Sequence, residues 1–260
     1  VEILSIIHGG EVRAGVFAEP VRRRGHLLTE WSAPSGFPPP RPIEEYDAAF
    51  VFGGSMHADQ EDEHVWLRDE DALIRRLLEL ETPLLGVCLG GQLLAKAADA
   101  WIGPASEPEI GWFPLELTDA AADDSLFAML PRTFDAFQWH FYAFDVPDGA
   151  VELARNDVCS QAFRLGERAW GVQFHPEVTL AQVEGWIDDP DDPCPDPEGL
   201  RWETRRRIDE WNDLGRRIAD AFVEVAERRR SRLSAQRADG AGPGEPGDSP
   251  DRWDGARAAG

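Results

Sequence analysis

Lysine is almost absent from this sequence: Lys96 is the only one, and arginine supplies every other strong cation. Positive charge is scarce altogether, with 26 basic residues against 49 acidic ones and a net charge of −23. Such a surface repels phosphate backbones, which excludes nucleic acid as a direct partner. Cysteine is scarce too. Cys88, Cys159 and Cys194 are odd in number and lack metal-ligand spacing, which argues against a disulfide framework and a cysteine-built metal site. Cys159 and Cys194 read as incidental. No run of 18 apolar residues exists, so no membrane span and no membrane partner are expected. No basic leader precedes the strand-like run from Val1 to Ile7, and a cytoplasmic protein is the expectation. The acidic, lysine-poor composition resembles that of proteins adapted to high intracellular salt, although high-GC coding bias has the same effect on lysine. Melting across molar salt separates the two: stability indifferent to salt removes the adaptation.

What is present suffices for a large core, with 42% of residues hydrophobic. Glu2–Ile7 is apolar and β-branched, a first strand. Gly9-Gly10 turns the chain, and Arg13–Arg24 suits a first helix. After a proline-rich loop (Pro34 to Pro42), Ala48–Phe52 reads as a buried strand ending at Gly53-Gly54. Val65–Leu80 has helical periodicity, Leu84–Val87 is another buried strand, and a helix follows from about Gly90 to Ala98. Strands alternating with helices predict an α/β fold with a doubly wound, mostly parallel sheet. Beyond Trp101, short runs at Trp112–Leu117, Ala150–Ala154, Gln161–Leu165 and Ala169–Phe174 suggest antiparallel additions and returning strands. Asp188–Gly199 reads as an acidic, proline-rich loop and Arg201–Arg230 as a long helix. The expected division is one domain over 1–230 and a disordered tail over 231–260, rich in Gly, Ala, Asp and Pro.

Two segments carry chemistry. Leu84-Leu85-Gly86-Val87-Cys88-Leu89-Gly90-Gly91-Gln92 reads as a strand stopping at a cysteine flanked two residues either side by glycine, then turning into a helix. That is the form of a nucleophile elbow, where the helix N-terminus favours a thiolate. The Leu89 N–H then points where a carbonyl oxygen gains charge, and Gly53-Gly54 is placed to supply a second donor. The other segment is Gly171-Val172-Gln173-Phe174-His175-Pro176-Glu177. In an extended chain, residues two apart face one side, so Glu177 reaches one ring nitrogen of His175 while the other addresses the thiol. Pro176 disfavours helix at His175. A thiol, a base and an orienting acid are the parts of a cysteine hydrolase.

The two motifs together resemble class I, triad-type glutamine amidotransferase domains. Gly53-Gly54, Glu109-Ile110-Gly111-Trp112 and Gln138-Trp139-His140 are similar to the stand-alone branch near the glutaminase half of GMP synthase. The likeness spans roughly Val1 to Ala181. It implies a three-layer α/β/α, flavodoxin-like fold with Cys88, His175 and Glu177 as the triad and no cofactor or metal. It also implies that Gln92 and the backbone near Gly53 and His140-Phe141 hold the γ-glutamyl group. Two departures stand out. Phe141-Tyr142 replaces the Gly-Asp that often follows Trp-His in the family. Ala98-Asp99-Ala100 replaces a common Leu-Gly-Gly, which leaves Asp99 to take the left-handed cap. Cysteine hydrolase/chaperone proteins of similar fold carry His after the elbow cysteine, where this chain has Leu89. His8 reads as structural. His140 is open between pocket and core, Glu109 between brace and surface, Trp139 between pocket wall and core. The implied substrate is glutamine or a γ-glutamyl small molecule. Without a P-loop or an SGGxDS-like loop, ammonia would go to a synthase partner, or the chain would hydrolyse γ-glutamyl amides alone. A binding module with a silent triad is the third reading.

Overall fold

The computed structural model describes residues 1–10, 12–191 and 194–240. Nine strands form one sheet: β1 (Glu2–Ile7), β2 (Leu27–Ser32), β3 (Ala48–Val51), β4 (Leu84–Val87), β5 (Ile102–Leu117), β6 (Thr133–Phe144), β7 (Val151–Arg155), β8 (Ser160–Leu165) and β9 (Ala169–Val172), in the order β2-β1-β3-β4-β9-β8-β7-β5-β6. From β2 to β9 the pairings are parallel, and from β9 to β6 they are antiparallel. The parallel strands are apolar almost throughout because both faces are covered. Side chains of β1 alternate accordingly: Ile3 and Ile7 enter one core, Leu4 and Ile6 the other. The first core packs against α1 (Ala18–Arg23), α4 (Leu180–Ile187) and α5 (Pro197–Gly240). The second packs against α2 (Trp66–Glu79) and α3 (Leu89–Ala97). The result is the expected α/β arrangement of a large sheet between helical layers.

Several elements differ from the sequence reading. The expected helix Arg13–Arg24 is a 3₁₀ turn at Gly15–Phe17 followed by the shorter α1. β2 went unmarked because it is a half-exposed edge strand without clean alternation. The C-terminal helix begins at Pro197, inside the expected loop, since proline is tolerated in a first helical turn. It also runs past Arg230 to Gly240, because Ser231–Asp239 holds no glycine or proline to stop it. That shortens the expected tail; the rest of it, 241–260, lies outside the described residues. Asp99 takes the left-handed cap with φ 61°. No helix among the described residues is long and apolar enough to cross a membrane.

Candidate active site

The elbow forms because three glycines let backbones touch. A Cβ at Gly86 would stand 2.3 Å from the Gly90 carbonyl oxygen. One at Gly90 would stand 2.0 Å from the Val51 oxygen, and one at Gly91 2.7 Å from the Val172 oxygen. No side chain fits in those gaps. Cys88 itself is held at φ 53°, ψ −111°, a conformation that costs a non-glycine residue about 1–3 kcal/mol. It is the N-cap of α3, so the first N–H groups of that helix, Leu89 among them, have no intrahelical acceptors.

β9 lies next to β4, and the Cys88 N–H donates to the Val172 carbonyl at 2.8 Å, tying the two strand ends together. The chain then carries His175 over the cysteine. Its backbone is held from a distance: Trp211 Nε1 on α5 donates to the His175 carbonyl at 2.8 Å, and Asn212 Nδ2 to the Val178 carbonyl at 2.8 Å. The Val16 N–H donates to the Glu177 carbonyl at 2.8 Å. Gly15 and Gly215 make room for this loop; a Cβ on either would come within 1.9 Å of a loop carbonyl oxygen.

His175 Nδ1 faces Glu177 Oε1 at 2.9 Å, and the ring is close enough to the Cys88 sulfur for the two to interact. His175 and Glu177 are buried. Burial alone pulls the imidazole pKa down, but Glu177 and the Cys88 sulfur outweigh it and push it up to about 10. The structure thus brings the three expected groups together from separate strand ends.

A cavity of about 540 Å³ opens over Cys88 and His175. Gly54, Phe141, Trp139 and His8 contribute to its wall, and Asp189 and Asp191 lie at its side. Gly53 sits against the reacting pair, where an added Cβ would be 3.1 Å from His175 Cε1 and 3.6 Å from Cys88 Cβ. Trp139 is both buried and part of the wall. The Phe141-Tyr142 departure makes that wall aromatic, with the Tyr142 ring stacked on His57 at 3.9 Å. The Gln92 and His140 side chains share one acceptor, Gln92 Nε2 donating to the Tyr142 carbonyl at 2.9 Å and His140 Nδ1 to the same oxygen at 3.0 Å.

Glu109 is fully buried, which decides its open alternative for the brace. It accepts from Asn156 Nδ2 at 2.6 Å and Gln161 Nε2 at 2.8 Å, and it faces His140 Nε2 at 3.0 Å. Glu109, His140 and Cys159 lie within metal-ligand distance of one another. Burial, reinforced by Glu109, pushes the Cys159 thiol up to about 12 and keeps it neutral, as suits a hydrogen-bonded cluster. Sequence reasoning missed Glu70, a carboxylate buried on α2. It faces His8 Nε2 at 2.9 Å, while His8 Nδ1 donates to the Gly53 carbonyl at 3.0 Å. Burial lowers the His8 pKa, but Glu70 prevails and raises it. A polar residue at a core-facing helical position was the one available signal. Gln173 Nε2 lies 3.7 Å from the Cys88 sulfur, a role its place between β9 and His175 does not signal.

Comparison with known proteins agrees with this geometry. Residues 31–185, more than half of the chain, match the family model for glutamine amidotransferase class-I. The glutamine amidotransferase-like protein YfeJ of Salmonella typhimurium is 28% identical over 201 residues, covering 76% of this chain and 84% of YfeJ. One of the subunits of the glutamine-hydrolyzing GMP synthase of Archaeoglobus fulgidus is 35% identical over 109 residues, 41% of this chain and 58% of its own length. The crystal structure of a glutamine amidotransferase from Thermotoga maritima superposes with a TM-score of 0.78 at 30% identity, covering 86% of this chain and 98% of that one. An elbow cysteine, a carboxylate-backed histidine and a matching family model lead to one assignment: this chain belongs to the class-I glutamine amidotransferases.

Proposed function

We propose that the protein hydrolyses the side-chain amide of glutamine through a γ-glutamyl thioester on Cys88 and delivers the ammonia to a partner synthase. One observation carries the reading: Cys88 and His175 line one open cavity, and the buried Glu177 backs the histidine. A histidine pushed up to about 10 holds a proton at neutral pH that it can give to a departing nitrogen, and the Cys88 sulfur is the nucleophile. The sulfur attacks the amide carbon, and the carbonyl oxygen takes the negative charge. In this reading the Leu89 N–H and the backbone at Gly53-Gly54 stabilise that charge, each donor being worth on the order of 100-fold in rate. As the C–N bond breaks, His175 gives its proton to the departing nitrogen and ammonia leaves. Water then adds to the thioester and passes a proton to the neutral ring. Collapse releases glutamate, with thiolate and imidazolium restored. Glu177 holds the ring in orientation throughout.

The partner follows from the relative named as part of a glutamine-hydrolyzing synthase. Ammonia release from glutamine by the purified chain, with loss of turnover in Cys88→Ala and a +γ-glutamyl mass on Cys88, is the expected result. A Cys88→Ser variant as active as the unmutated chain overturns the reading and revives a silent triad. The cavity also supports a second reading, hydrolysis of γ-glutamyl amides without a partner. It is open and walled by Phe141, Trp139 and Trp186, which leaves room for a leaving amine larger than ammonia. Robust turnover of a γ-glutamyl dipeptide by the isolated chain favours it. Weak activity that rises with a copurifying synthase favours ammonia delivery.

A further inference from the structure

Behind the nucleophile, away from the cavity, four buried polar side chains form a continuous line to the sulfur. Gln173 Nε2 lies 3.7 Å from Cys88 Sγ. Gln92 Nε2 donates to Gln173 Oε1 at 3.3 Å and to the Tyr142 carbonyl at 2.9 Å. His140 Nδ1 donates to the same carbonyl at 3.0 Å, and His140 Nε2 faces Glu109 Oε2 at 3.0 Å. Gln173, Gln92, His140 and Glu109 are all buried, so none of them has bulk water as an alternative partner.

The orientation of an amide is normally ambiguous, but here it is forced. A backbone carbonyl can only accept, so the Gln92 group facing Tyr142 must be the NH₂. That NH₂ also meets Gln173, so the Gln173 group facing it must be the oxygen. Gln173 therefore has its own NH₂ turned to the sulfur. Flipping Gln92 would set oxygen against oxygen inside the core, and flipping Gln173 would set one NH₂ against another.

The sulfur needs such a donor. On its other side lies the Trp139 carbonyl, 3.7 Å away. That oxygen suits a neutral S–H and opposes a thiolate. We propose that Gln173 is a catalytic residue that donates a hydrogen bond to the Cys88 thiolate, and that Gln92 is a positioning residue that fixes the direction of that bond. Glu109 and His140 anchor the far end. The catalytic meaning rests on the proposed hydrolase, but the hydrogen bond does not.

The test uses alkylation of Cys88 by iodoacetamide in the full chain, followed by peptide mass spectrometry. It requires no glutamine, so it can succeed where the glutaminase assay fails, and the reverse. Only the thiolate reacts, so Gln173→Met should alkylate about tenfold more slowly than the unmutated chain at about pH 7 and equally fast at about pH 10. Gln92→Glu should show the same pattern. Its carboxylate has no N–H, so Gln173 turns its NH₂ toward position 92 and its oxygen toward the sulfur. A merely structural role would lower the melting temperature of both variants and leave the ratio of the two rates unchanged. Equal rates at about pH 7 in variants that melt cooperatively overturn the proposal. Should neither variant fold, NMR on the unmutated chain decides. The Gln173 side-chain amide signals should shift over the pH range in which Cys88 becomes reactive, and signals that stay fixed overturn it.

Discussion

The two sides of the catalytic pair are held by opposite means. On the cysteine side, Gly86, Gly90 and Gly91 bring backbones to distances no side chain allows, all within one strand–helix turn and its neighbouring strands. On the histidine side, the loop over Cys88 is pinned by residues far along the chain. Trp211 and Asn212 donate to its carbonyls, and Gly215 lets α5 press against Pro176. The family match over residues 31–185 includes the elbow and the loop but not α5. The nucleophile's position is therefore written locally, while the base's position depends on the docking of a distant helix.

The largest expected effect lies on the elbow side. In Gly90→Ala the new Cβ meets the Val51 oxygen at 2.0 Å, in the centre of the parallel sheet. Rigid backbone on both sides cannot yield, and the variant should lose about 3 kcal/mol or more of stability. Denaturant unfolding reads this directly. A soluble variant of native stability would break the comparison, because the elbow would then be no tighter than the loop.

Glu177→Gln comes next, on the histidine side. Without the carboxylate, burial is the dominant influence on His175 and pulls the ring toward its neutral form. Glutamine hydrolysis should fall by on the order of 100-fold or more. Stability should change its pH dependence too. His175 is raised in the folded chain, so its contribution is complete below about pH 6.5, its unfolded value. It is lost as pH rises toward about 10. The unmutated chain should lose melting temperature across that window and Glu177→Gln should lose less. Parallel slopes in the two proteins would show that Glu177 does not set the charge on the ring.

This contrast explains what the sequence made legible. The elbow spacing of Gly86, Cys88 and Gly90 and the His175-Pro176-Glu177 run are each local, and it is the two together that announce a catalytic site. The alternation of apolar strands and helices up to Ala98 likewise carried β1, β3 and β4 of the parallel half of the sheet. What stayed hidden depends on contacts made only on folding. Glu70 looks like one more surface acid of an amphipathic helix until His8 is seen beside it. Nothing in the spacing of Gln92 tells that its side chain donates to the Tyr142 carbonyl, fifty residues along the chain. Trp211 reads only as a helical core position, and nothing in its spacing tells that its indole N–H reaches a catalytic loop.

Gly215→Ala sharpens the comparison because two effects oppose each other. Alanine favours the helix by about 1 kcal/mol over glycine. Its Cβ, however, would stand 1.9 Å from the Pro176 oxygen. A backbone carbonyl in a pinned loop cannot give way cheaply, so the clash wins and α5 must lift or the loop must shift. We expect a melting temperature lower by a few degrees and, because the loop carries the base, a kcat reduced about tenfold with KM little changed. A variant that melts higher and keeps full kcat would mean that α5 stabilises the fold without positioning His175.

Trp211→Phe is the mildest test and isolates a single bond. Phenylalanine keeps most of the ring that packs among Trp112, Phe134 and Phe174, but it has no N–H for the His175 carbonyl. That carbonyl is left buried without its donor, at a cost of about 1–3 kcal/mol. The His175 N–H still donates to the Phe137 carbonyl at 2.9 Å, so the residue stays tethered to β6 from one side. Loss of one of two tethers should lower kcat a few-fold, less than in Gly215→Ala, with KM again unchanged. Adding both substitutions separates the possibilities further. If α5 acts on the loop as one body, the double variant should be little worse than Gly215→Ala alone, because the helix has already moved off the carbonyl. Fully additive losses would instead mean that Trp211 and Gly215 hold the loop independently, and that α5 does not act on it as one body.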